Sequence, residues 1–129
     1  MKRYNPLKAP ASEEWLNIDE AERVRLVEDY HHHVRAELPN AVVHALFHVI
    51  VENQAALGDE IPVRRTIDRL MKEGIDRHEA IHAVGSVMSE HMWKLSRSGP
   101  AAPSHAELNA PYYAALEKLT VESWRQAYE

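Results

Sequence analysis

Apolar residues recur at three- and four-residue intervals along most of the chain, the period of helices with one buried face. Residues 1–11, interrupted by Pro6 and Pro10, read as an extended arm. A short helix is expected from Ser12, which can cap it, carrying Trp15 and Leu16 inward. Asp19 is the next N-cap candidate. From there Ala21, Val24, Val27 and Tyr30–His31 follow at helical spacing until Pro39 stops the run. Asn40 caps a third helix, 41–57, which Gly58 ends. After a tight Asp59–Glu60 link, Pro62 suits a first helical turn. Val63, Ile67, Leu70 and Met71 then form a stripe that closes at Gly74. Asp76 caps a long helix to about Arg97, ahead of the Gly99–Pro100 break. The last segment opens on Ser104-x-x-Glu107, a capping-box spacing, with Pro111 as a point of restart. No segment alternates with period two. The expected fold is all-α, a compact single-domain bundle of about five to six helices. Residues 40–99 form its core and 100–129 a C-terminal helical segment.

Composition narrows the function. A chain of 129 residues, 45% hydrophobic and 27% charged, suits one globular domain with a real core. The net charge of −5, with Lys and Arg interspersed among acids, gives no basic patch for nucleic acid. With no cysteine there is neither a disulfide nor a thiolate metal site. The start lacks an apolar leader, and the most apolar stretch, residues 41–51, is too short to span a bilayer. The expectation is a cytoplasmic protein without nucleic-acid or membrane partners, and without an organic cofactor. A homo-oligomer built on the 100–129 tail remains open.

Helix 41–57 is apolar nearly all round, which marks it as central and buried. Its only polar side chains before Glu52 are His44 and His48, one turn apart on one stripe. Burying two imidazoles costs a few kcal/mol unless they find partners. A second pair, His78 and His82, flanks the apolar stripe Ile81, Val84, Met88 and Met92 of the long helix. Gly85, Ser86 and Ser89 below it are small enough to let another helix approach closely. If the two helices pack antiparallel, four imidazoles converge. Zinc wants four nitrogen or oxygen ligands, and iron, nickel or manganese accept the same donors. Glu52 and Glu90 are then the candidate orienting groups or additional ligands. Of the internal run His31–His32–His33, His31 alone follows an apolar stripe and is placed to contribute. His91 and His105 read as surface groups, and Trp93, Trp124, Tyr112 and Tyr113 as core or its rim.

Three other readings use overlapping residues. His78-Glu79-x-x-His82 matches the HExxH pattern of metal-dependent hydrolases, in which the glutamate activates water. Met88 stands where the longer form requires histidine, leaving Glu107 or Glu117 as a third ligand, and no strand is present to align a substrate. A carboxylate-bridged di-iron site needs Glu-x-x-His on two helices, which Glu28-x-x-His31 and Glu79-x-x-His82 supply, with Glu52 and Glu90 completing it. Without metal, the histidines would bond to Glu52, Glu90, Ser86 and Ser89 as a buried polar network in an interaction module.

The spacing Asn40-x3-His44-x3-His48-x-Ile50-x-Glu52-x-Gln54, then Pro62, Arg69–Leu70, His78-x3-His82-Ala83-Val84 and Glu90-x2-Trp93-x5-Gly99 resembles a specific family. It is a family of small, uncharacterised bacterial helical proteins, a domain of unknown function (number 1841). The resemblance implies a helical fold and a bacterial cytosolic setting, and names no activity. It places His44, His48, His78, His82, Glu52 and Glu90 among the pattern-defining positions, and Glu79 outside them.

Overall fold

The structure is a computed structural model and describes residues 1, 3–33, 41–97 and 105–128. Pro39, Asn40, the Gly99–Pro100 break and Ser104 lie outside the described residues, as do the side chains of His105 and Glu107. All regular structure among the described residues is helical, in seven α-helices rather than five to six. They are α1 (Ser12–Asn17), α2 (Glu20–His33), α3 (Ala41–Ala56), α4 (Val63–Lys72), α5 (Arg77–Arg97), α6 (His105–Lys118) and α7 (Val121–Tyr128). A 3-10 turn, Gly58–Glu60, links α3 to α4 and begins at Gly58 with φ +66°.

The extra helix comes from a break the hydrophobic pattern conceals. After Lys118 the chain leaves α6, and Thr120 and Ser123 cap each other: Ser123 N–H donates to Thr120 Oγ1 and Thr120 N–H to Ser123 Oγ, both at 3.0 Å. Pro111 does not restart α6, which runs through it unbroken. Asp76 caps α5 as expected, accepting the Glu79 N–H at 2.8 Å. Ser12 does not cap α1, since it already lies inside the helix and Ala11 precedes it.

Helix α3 is apolar nearly all round because it separates two hydrophobic clusters. One face, with Val51 and Ala55, packs into a core shared with Ile67 and Leu70 of α4, Ile81, Val84 and Met88 of α5, and Tyr112 and Leu116 of α6. The other, with Ala45 and Val49, joins Trp15, Leu26, Val27 and Tyr4. The stripe of His44, His48 and Glu52 runs where the two meet. The expectation of full burial fails at the helix's start, where Val42, Val43 and Leu46 are exposed. Leu16, Met71 and Met92 also face solvent; Leu16 and Met71 each sit beside a buried neighbour, Trp15 and Leu70, about 100° round the helix from it. Polar ties join the layers. Asn53 Oδ1 accepts from Trp15 and Arg23, Gln54 accepts from the Tyr112 hydroxyl, and Arg69 donates to the last carbonyls of α6. No helix among the described residues is long and apolar enough to cross a membrane.

The arm before α1 carries no helix, but it is pinned rather than loose. A turn links Lys8 N–H to the Asn5 carbonyl, and Tyr4 is buried against Trp15 and Tyr30 at ring distances of 5.7 and 6.2 Å. This places a phenol beside α3.

Candidate metal centre

Five histidines from three helices converge. His31 of α2, His44 and His48 of α3, and His78 and His82 of α5 bring ligand atoms within 4.8 Å of one another. The Nε2 atoms form a string: His31–His44 at 3.1 Å, His44–His82 at 3.2 Å, His82–His48 at 3.0 Å and His48–His78 at 3.2 Å. Contacts run in opposite directions along α3 and α5, from Glu52–Arg77 through His48–His78 to His44–His82.

Two anchors fix which nitrogen carries the proton. His31 Nδ1 lies 2.8 Å from the Val27 carbonyl, which can only accept, so Nδ1 donates and Nε2 presents a bare lone pair. His48 Nδ1 lies 3.2 Å from the Tyr4 hydroxyl, whose own proton goes to Glu52 Oε2 at 2.5 Å. His48 must therefore donate to Tyr4, and its Nε2 is bare as well. Behind Tyr4, Arg77 clamps both Glu52 oxygens at 2.8 Å and donates to the Pro6 carbonyl at 3.0 Å. Both charged groups are buried.

These anchors conflict with a purely hydrogen-bonded cluster. Along the string, protonated and bare Nε2 atoms must alternate for every contact to be a hydrogen bond. His31 and His48 stand first and fourth, so alternation requires one to be protonated on Nε2 and the other bare. The anchors make both bare. Neutral imidazoles alone leave one contact with two lone pairs or two protons opposed, whereas a cation at the centre accepts every lone pair.

Burial disfavours charge on these rings. His44, His78 and His82 are pushed down to about 4, first by desolvation and then by neighbouring imidazoles: His82 acts on His44, His31 on His78, and His78 on His82. His48 is lowered much further, again first by desolvation and then by His82. Between pH 6.5 and 4 the unfolded chain binds protons that the folded metal-free protein does not, so stability rises with pH across that window. Denaturant titrations of metal-free protein should show full stability above about pH 6.5 and progressive loss towards pH 4. A flat profile would contradict the buried, neutral cluster.

The four histidines expected from their spacing all lie in the cluster, and His31 joins them. The carboxylates do not. Glu52 is held by Arg77 and reaches His48 only through Tyr4. Glu90 is ion-paired with Lys94 at 3.3 Å and stands outside the gathered ligand atoms. Glu79 is exposed, because HExxH puts it 100° from the stripe that faces the cluster. Glu117 is tied to Arg65 at 2.6 Å, and Glu28 is not among the converging groups. His91 is not a free surface group: it stacks on Tyr112 at 5.5 Å with its Nε2 buried. Tyr4 and Arg77 escaped the sequence reading. Arg77 had a signal, since it extends the Ile81, Val84, Met88 stripe by one turn. Tyr4 had none.

A cleft of about 680 Å³ lies beside the cluster. His44, His48 and His82 line it, whereas His31 and His78 do not. Phe47, Ile81, Trp93 and Trp124 supply its apolar surface. Gly85, Ser86 and Ser89 line it as well, and at Gly85 α3 stands close, with Val51 3.9 Å from where a Cβ would lie.

The family model for Domain of unknown function (DUF1841) matches residues 13–111. The chain belongs to this family. The DUF1841 match includes all five converging histidines together with Glu52 and Arg77, while Tyr4 and Trp124 fall outside it. No curated protein and no solved structure matches the chain.

Proposed function

We propose that the protein binds one divalent first-row metal ion through His31, His44, His48, His78 and His82. The observation that carries this reading is the pair of Nδ1 anchors, which leave two bare Nε2 atoms where alternation allows only one. The spacing also suits a metal. At a metal–nitrogen distance of about 2.1 Å, neighbouring ligands stand about 3.0 Å apart at right angles and about 3.4 Å apart in a tetrahedron. The observed contacts of 3.0–3.2 Å run from the first value to midway between the two. Five imidazoles exceed the four ligands usual for zinc, so iron or nickel suits the set better, with manganese and zinc behind.

Tyr4 orients His48 and carries the influence of Glu52 to it. Tyr4→Phe should weaken metal binding about 10- to 100-fold while leaving stoichiometry unchanged. Competition with a chromophoric chelator measures this; an unchanged affinity would remove Tyr4 from the site. The hydrolase reading gains no support, because Glu79 is exposed.

A further inference from the structure

We infer that the cleft beside the histidines admits an aromatic small molecule that coordinates the metal through an anionic oxygen. This rests on the metal reading above and extends it to the ligand. Five neutral imidazoles leave a divalent ion's charge uncompensated. Glu52 is spent on Arg77 and reaches the ring of His48 only through a phenol, and Glu90, which borders the cleft, is ion-paired with Lys94 at 3.3 Å. An incoming anionic donor supplies the missing charge, and five protein ligands leave a sixth coordination position for it.

The direction of approach follows from the lining. Three of the five rings border the cleft, so a ligand reaches the metal between His44, His48 and His82. The body of the ligand is set by the walls: Phe47, Trp93 and Trp124 offer aromatic faces, and the volume of about 680 Å³ far exceeds what water or a diatomic molecule fills. Adding a Cβ at Gly85 meets only Val51 at 3.9 Å, so backbone packing does not require glycine there. Gly85 borders the cleft and adds no side chain to it.

The probes are benzoate and acetate, which share an anionic carboxylate head able to bind through one oxygen and differ by the ring. Both are titrated into cobalt(II)-loaded protein while the visible d–d bands are followed and cobalt stoichiometry is checked after each titration. Benzoate should bind at least about tenfold more tightly, the advantage of burying one aromatic ring. Ser89→Trp, which fills the cleft, should erase that advantage while cobalt content and acetate affinity stay unchanged. Equal affinities for the two probes, or an advantage that survives Ser89→Trp, would overturn the aromatic assignment and leave the metal reading standing. Failure of cobalt to bind would overturn both.

Discussion

His48→Ala is expected to abolish tight metal binding, with affinity falling well beyond the about 10- to 100-fold lost when a group that only orients a ligand is removed. Three features combine at this ring. Its Nε2 touches those of both His78 and His82, which makes it an interior junction of the string. It is almost wholly buried, with 2% exposure, so its removal also opens a gap in the packing. It is also the ring held by Tyr4, so its lone pair is the best aimed of the five. Isothermal titration with nickel or iron reads the effect. His91→Ala serves as the control: His91 stacks on Tyr112 away from the cluster and should leave affinity unchanged. Retention of tight binding by His48→Ala would remove the junction from the centre.

The largest loss of stability is expected from Arg77→Met. Arg77 is the charge partner of a carboxylate exposed by only 1%, and it also holds the Pro6 carbonyl that anchors the arm. Removing the guanidinium leaves Glu52 buried and charged, with only the Tyr4 hydroxyl as a donor. Breaking one side of such a pair costs about 3–5 kcal/mol. For a chain of this size that lowers Tm by roughly 10–20 °C. The double variant Glu52→Leu/Arg77→Met removes both charges and should recover much of the loss, because the buried unpaired charge is the main cost. Thermal denaturation of the two variants separates these contributions. A loss below about 1 kcal/mol in Arg77→Met would mean that the pair is solvated in solution.

Most of the helices were legible through their period, and two of their ends through Asp76 before α5 and Gly58 after α3, whereas Ser12 lies inside α1 instead of capping it. Helix α7 was hidden because Thr120-x-x-Ser123 is a weaker signature than one ending in glutamate, and Leu119 and Val121 continue the apolar pattern across the break. The four histidines on α3 and α5 were legible because spacing by four puts each pair on one stripe. His31 was half legible, sharing its stripe with Val27 but standing in a run of three histidines. The supports behind the cluster were not, because they depend on long-range pairing. Tyr4 meets His48 and Glu52 across 44 and 48 positions of chain, and nothing local in a proline-flanked arm marks that destination. Glu52 stood out as polar on a buried stripe, but which cation met it depended on how α3 crosses α5. Small residues on α5 were ambiguous in the same way: a close helix contact and an open cleft need the same side chains, and only tertiary packing decides between them.

Metal at the five histidines is tested by elemental analysis of untagged protein beside His48→Ala/His82→Ala. About one iron or nickel per chain, absent from the variant, is the predicted result. A native protein that binds none of iron, nickel, manganese and zinc when each is offered, or a variant that keeps the same metal content, would rule out a metal centre at these histidines.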